Sequence, residues 1–121
     1  MLRNLTPHPI ALRPRPEGRY RVLRPDVQLP AVRIDIDIGE PQGNEAGVPI
    51  HGPVRVRRIE NLPARVPGVT YVVSMLVAMT AAHFFPDRTD FVYPATSLGD
   101  GAEIHGRGRR VVARLARAIA V

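Results

Sequence analysis

Apolar and polar residues alternate most regularly in the segment AVRIDIDIG, residues 31–39. Because successive side chains of a strand point to opposite faces, this pattern predicts a strand with one face on the core and the other in water. Two acids on the polar side, Asp35 and Asp37, are of a type that could bind a metal or act as an acid-base pair. Alternation alone produces such a pair on any half-buried strand, and we favour that structural explanation.

Shorter apolar runs predict further strands. Residues 10–12 and 19–25 predict an N-terminal hairpin, because the intervening RPRPEGR supplies two prolines and a glycine for a turn. Residues 69–73 are apolar on both faces, which is typical of a central, buried strand. The remaining predicted strands are 48–50, 54–59 and 90–94.

Polar, glycine-rich segments predict loops at 40–47 and 95–108, and His51 is expected at a hairpin tip. The last segment, 110–121, is compatible with a strand or a helix. Its β-branched residues favour a strand for the first half.

One helix is predicted, over about residues 75–83. Ser74 can cap it, because its hydroxyl can accept a hydrogen bond from an N–H of the first turn, and Pro86 prevents its continuation. Since no side of the segment carries Asp, Glu, Lys or Arg, we expect burial on all sides, with Leu76→Ala costing about 2–5 kcal/mol. His83 suits the negative end of the helix dipole.

Length and composition set the fold class. The chain has 121 residues, enough for a single domain over 1–121, and its 13 prolines and 10 glycines favour turns over long helices. We therefore expect an α+β protein that is mainly β: a small antiparallel or mixed sheet, or a partial barrel, with one buried short helix.

The residue content excludes several kinds of chemistry. There is no cysteine, and no histidine spacing typical of a zinc site occurs. No nucleophile or phosphate-loop motif is present, so we predict no catalytic residue, metal or cofactor. Enzymatic activity stays open, and we favour a protein that is not an enzyme. The opening lacks a signal-peptide apolar region, and prolines break the charge-free stretch 66–86, so we expect a cytoplasmic protein that does not associate with membranes.

Charge is unevenly distributed along the chain. All 17 basic residues are arginine, and residues 1–24 and 107–121 carry eleven of them against one acid. If both ends lie on one face, they could form a basic stripe that holds phosphates. A solvated surface is the alternative that we favour, because no aromatic residues interleave with the arginines as in a single-strand-binding platform.

The opening NLTPHPI contains three polar residues in alternation, Asn4, Thr6 and His8. Prolines on both sides of His8 favour extended geometry, which would hold the three side chains in a row. They could meet a ligand, or Asn4 and Thr6 could satisfy a turn while His8 lies on the surface.

Three segments resemble, in order and spacing, a group of short uncharacterised phage and bacterial proteins. The segments are the opening NLTPHPI, TYVVSMLVA at 70–78 and RTDFVYP at 88–94. These proteins open with an Asn-Leu-Thr-Pro-His motif, and the match covers roughly a quarter of the chain. The resemblance implies kinship and a phage or mobile-element setting, but no reaction. Ala113 stands where that group tends to have a glycine in its last strand.

The resemblance also implies a set of polar motif positions: Asn4, Thr6, His8, Ser74, Arg88 and Asp90. These residues could converge on a ligand or form a structural latch that brings His8 close to Ser74 or Arg88. Our expectation is a homo-oligomeric binding protein with a pocket near His8 for a small anionic or nucleotide-like molecule. The alternative is a nucleic-acid-associated or structural accessory protein that uses the basic termini.

Overall fold

The computed structural model describes residues 1–14, 19, 21–96, 102–105 and 109–119, with only the backbone of 102–105, 109 and 110. These residues form a mainly β structure with one helix and small mixed and antiparallel sheets, which confirms the predicted α+β class. The strands are β1 Leu2–Asn4, β2 Ile10–Leu12, β3 Arg21–Leu23, β4 Arg33–Asp37, β5 Glu40–Glu45, β6 Val48–Gly52, β7 Arg55–Glu60, β8 Thr70–Val72, β9 Phe91–Pro94, β10 Ala102–His105, β11 Arg109–Val112 and β12 Leu115–Ala116, and the helix is α1 Met75–Phe84.

The central sheet has the order β1-β8-β9-β12. Strand β8 lies between β1 and β9 and runs parallel to both, and β12 closes the sheet antiparallel to β9. Tyr71, Val72 and Val73 are almost fully buried, because a strand with neighbours on both sides and cover on both faces has no contact with water. The predicted central strand is therefore confirmed, as is the strand at 90–94.

Helix α1 connects β8 to β9 and begins where the sequence predicts. The Ser74 hydroxyl accepts a hydrogen bond from the N–H of Val77 at 3.2 Å. Only one side of the helix is buried, mainly through its alanines and Val77, and Leu76 is 58% exposed. The expectation of burial on all sides, and the large cost of Leu76→Ala, are wrong, because a helix lying on a sheet contacts it with about half its circumference.

A second sheet has the order β10-β11-β2-β3. Its β2–β3 hairpin confirms the N-terminal prediction, although residues 15–18 of the turn, and Tyr20, lie outside the described part. Strand β11 confirms a strand at the start of the last segment and runs parallel to β2. The loop predicted at 95–108 is wrong at β10, which pairs with β11; residues 97–101 and 106–108 lie outside the described part.

Residues 33–60 form a long two-stranded ribbon in which β4 pairs with β7 and, farther out, β5 pairs with β6. The loop predicted at 40–47 is therefore wrong, and only Ala46 and Gly47, both with positive φ, make the turn. His51 lies opposite Pro41 in β6 and not at the tip. The polar residues of β5 misled the prediction because this part of the ribbon buries neither face.

The described helix is too short to cross a membrane. The main core lies between the central sheet, α1 and the base of the ribbon, where Ile34 and Ile59 pack against buried residues. Among the buried residues of this cluster are Leu5, Val32, Tyr71, Val73, Val77 and Phe91.

Candidate functional site

Asn4 is the centre of the opening motif, and its side-chain amide makes all its hydrogen bonds with other residues of the same chain. It lies at the end of β1 and is 1% exposed. Its amide group donates to the carbonyls of His8, at 2.8 Å, and Leu23, at 2.9 Å. Its oxygen accepts from the N–H of Thr6 at 2.9 Å and the hydroxyl of Thr6 at 2.6 Å. All four hydrogen-bonding positions of this amide are therefore occupied, and we call Asn4 with these contacts the Asn4 bracket.

The backbone of His8 is fixed by hydrogen bonds, whereas its side chain is exposed. The His8 carbonyl accepts from the Asn4 amide at 2.8 Å, and the His8 N–H donates to the Thr6 hydroxyl oxygen at 3.4 Å, so the bracket fixes the peptide around the histidine. Within the described part of the chain, no hydrogen bond or ion pair reaches the His8 ring. Pro7 lines a cavity of about 480 Å³ together with Ser74, which places the opening motif beside the start of α1.

Arg88 and Asp90 form a separate pair at the opposite end of the parallel strands of the central sheet. Asp90 comes just before β9, whereas Asn4 and Ser74 lie at or after the ends of strands parallel to β9. The structure therefore brings Asn4 and Thr6 together, and Arg88 and Asp90 together, but it does not join the two sets.

The Arg88–Asp90 pair is bidentate and mostly buried. Both N–O distances are 2.9 Å, and the Arg88 guanidinium also donates to the Pro63 carbonyl at 2.9 Å and lies 4.6 Å above the Phe91 ring centre. Burial is the largest influence and raises the pKa of Asp90. The hydrogen bonds from Arg88, the backbone N–H of Asp90 and the charges of Arg88 and Arg65 together outweigh it, so the pKa is lowered. These contacts give Arg88 a structural role between the 63 loop and β9.

Sequence reasoning missed a second bidentate pair, between Arg3 and Asp26. The two N–O distances are 2.7 and 3.0 Å, and one Asp26 oxygen also accepts from the N–H groups of Gln28 and Leu29. The hydrogen bond from Arg3, assisted by those N–H groups, lowers the pKa of Asp26 to about 2. No spacing rule joins two residues this far apart in the chain, so only the fold shows the pair.

The two acids of β4 face arginines across the ribbon. Asp35 lies 3.4 Å from Arg58, and Asp37 lies 3.7 Å from Arg57. This arrangement supports the structural explanation of the aspartates. Among the described residues, no group of three histidines or acids is close enough to hold a metal ion.

The basic ends of the chain meet at a cavity of about 390 Å³, which we call the arginine cavity. Its construction follows from β2 and β11, which pair in parallel, and from the N–H of Arg13, which donates to the Val112 carbonyl at 3.1 Å. Three arginines line it, and no described lining residue is acidic. The lining residues are Arg13, Arg21 and Arg114 with Leu2, Leu12, Pro14, Val112, Ala113 and Leu115.

The condition attached to the predicted basic stripe, that both ends share one face, is thus met for these three arginines.

Comparison with protein-family models, with curated proteins and with solved structures finds no significant match. The roles of these side chains accordingly rest on their geometry.

Proposed function

We propose that the protein is a small β-rich binding protein whose arginine cavity takes a small anionic or nucleotide-like ligand. The observation that carries this proposal is the convergence of Arg13, Arg21 and Arg114 from both ends of the chain on one cavity. A guanidinium group keeps its charge at all physiological pH values and presents several N–H donors in a plane that matches phosphate and carboxylate oxygens.

The remainder of the lining supports a ligand that is more than a bare anion. Six apolar residues contribute to the lining of the cavity, and its volume of about 390 Å³ falls in the range of small-molecule sites. A phosphate on the arginines and a flat apolar group on the aliphatic side chains would use both kinds of surface. The apolar lining residues that matter here are Leu2, Leu12, Val112 and Leu115.

This proposal keeps the predicted ligand class and moves its location. The side chains of Asn4, Arg88 and Asp90 make hydrogen bonds within the chain. The arginine cavity brings three guanidinium-bearing residues to one space, with no acid among its described lining residues. A ligand contact by the exposed His8 ring stays a separate prediction. The phage or mobile-element setting rests on the sequence resemblance alone.

Calorimetric titration of the full chain with inorganic phosphate, a mononucleotide and the matching nucleoside tests the proposal. We expect the mononucleotide to bind and the nucleoside not to bind, because the phosphate supplies the charge. Arg21→Gln should weaken binding about tenfold or more, the effect of losing one hydrogen bond to a charged group. Arg55→Gln, an exposed arginine on the ribbon, is the matched control and should bind as the wild type does.

Binding experiments on the same purified protein also distinguish the small-ligand proposal from the nucleic-acid alternative. Binding of duplex DNA with a steep dependence on salt, together with no binding of the mononucleotide, would support a nucleic-acid-associated protein instead. An equal loss of mononucleotide binding in Arg21→Gln and Arg55→Gln would also contradict the cavity as the site.

A further inference from the structure

The outer half of the ribbon, residues 38–54, projects from the core, and we call it the arm. Every residue from 40 to 51 is exposed, although Ile34 and Ile59 at the base of the ribbon pack against the core. A two-stranded hairpin without further cover is marginally stable in water. The arm thus lacks, among the described elements, the support that strands ordinarily have.

The junction between the ribbon base and the arm is closely packed. Gly39 has a φ of +79°, and a Cβ at this position would lie 2.6 Å from the Pro53 carbonyl oxygen. The Gly39 N–H also donates to Asp37 at 2.9 Å, and its carbonyl lies 3.0 Å from Nδ1 of His51. These contacts fix the direction in which the arm leaves the core.

One face of the arm carries uncovered aliphatic side chains. Val48 and Ile50 are two positions apart on β6 and therefore lie on the same face, with exposed fractions of 63% and 47%. The residue opposite Ile50 is Gly43, which has no side chain to cover it. Ile38 and Val54, at the root of the arm, are also more than half exposed.

A second apolar surface lies where α1 ends beside β7. Phe84 and Phe85 are 52% and 44% exposed, and with Val56, Ile59 and Leu62 they line a cavity of about 430 Å³, which we call the groove. Two arginines of β7, Arg57 and Arg58, lie at the groove.

The arm is acidic, and two exposed arginines lie at the groove. The arm contains Glu40 and Glu45 and no arginine, in a chain whose formal charge is +6. The groove contributes Arg57 and Arg58, which are 60% and 69% exposed. Their nitrogens also lie 3.1 to 3.7 Å from carboxylate oxygens of Asp35, Asp37 and Glu60 in the same ribbon. An acidic, aliphatic arm thus matches an aromatic and aliphatic groove with basic residues at it.

We propose that the groove of one molecule holds the arm of a second copy of this chain, in a reciprocal dimer. The same ribbon forms the arm and, through β7, one wall of the groove, so one two-fold axis can place each arm on the other molecule's groove. An arm with strands of about six residues extends roughly 20 Å, which is long enough to lie across a neighbouring groove. The interface would cover aliphatic side chains that a single copy exposes.

Native mass spectrometry and light scattering of the full chain, with dilution to measure the dimer Kd, test this proposal. A dimer is expected, and Ile50→Glu should raise its Kd about tenfold or more, because it places a charge in the covered face. Val27→Glu is the matched control: Val27 is 98% exposed and lies outside the arm and the groove, so the Kd should not change. A monomeric wild type, open-ended growth, or equal effects of the two substitutions would overturn the proposal.

A mixing experiment separates arm-to-groove contact from arm-to-arm contact. Ile50→Glu keeps an intact groove and Phe85→Glu keeps an intact arm. At a concentration where each variant alone is monomeric, their mixture should therefore form heterodimers with one intact contact. Failure of the mixture to associate would overturn the reciprocal arrangement. Melting curves establish that the variants fold, and Val48→Glu and Phe84→Glu replace any variant that does not.

Discussion

The Asn4 bracket and the arginine cavity adjoin the same strand, but they group different kinds of polar side chain. Leu2 of β1 lines the cavity, and two residues later Asn4 makes four hydrogen bonds with its own chain. The arginines of the cavity instead bring like charges to one shared space. The comparison teaches that the polar residues of a motif indicate structure when the fold satisfies them, whereas the proposed ligand site rests on like charges that line one cavity.

The largest expected effect is the loss of stability when the Asn4 bracket is removed. Asn4→Ala leaves the carbonyls of His8 and Leu23 and the N–H of Thr6 without their partner, so the free energy of unfolding should fall by about 3 kcal/mol. Urea denaturation measures the loss. His8→Ala is the control and should change stability by less than about 0.5 kcal/mol, because the exposed ring contributes no described contact.

A loss under about 1 kcal/mol for Asn4→Ala would show that water replaces the bracket. A loss above about 1 kcal/mol for His8→Ala would restore the histidine as part of a latch, in place of a surface residue.

The next effect concerns the second polar pair of the predicted site. Asp90→Ala leaves the mostly buried Arg88 guanidinium without its carboxylate, and we expect a loss of about 2–3 kcal/mol in urea denaturation. Asp87→Ala, at an exposed neighbouring position, should lie within about 0.5 kcal/mol of the wild type. Equal stability of the two variants would show that Arg88 is satisfied by Pro63 and Phe91 alone.

The pH dependence of stability should come largely from carboxylates paired with arginine. The folded pKa of Asp26 is about 2, below its ordinary value of 3.8, so its stabilising contribution is complete above that ordinary value and is lost as the pH falls toward 2. Urea midpoints between pH 6 and pH 2.5 should therefore decrease. In Arg3→Met the decrease should be shallower, and a decrease as steep as that of the wild type would contradict this assignment.

Local sequence patterns predicted the elements that local physics determines. The central strand, the Ser74 cap and the N-terminal hairpin follow from hydrophobic pattern and turn chemistry, and the structure confirms them. The strand Glu40–Glu45 could not be predicted in this way, because a ribbon exposed on both faces has no apolar alternation.

The same limit applies to the site. The resemblance grouped Asn4 with Arg88, but Asn4 ends one strand and Arg88 precedes a strand parallel to it, so the two residues lie at opposite ends of the strands. The arginine cavity depends on the pairing of β2 with β11, nearly a hundred residues apart in the chain. The charge distribution indicated that the basic ends could meet, and only the fold specified which arginines do.

The smallest expected effect on stability comes from the cavity, and its sign distinguishes it from the bracket. Neutralising one of three neighbouring like charges relieves repulsion, so Arg21→Gln should leave stability unchanged or raise it by a few tenths of a kcal/mol at low salt. Screening should remove that difference near 1 M salt, where the Debye length is about 3 Å. Urea denaturation at both salt concentrations, without added anion, measures the change. A loss above about 1 kcal/mol would show that the fold uses Arg21 as it uses Asn4, and the contrast between the two regions would not hold at this residue.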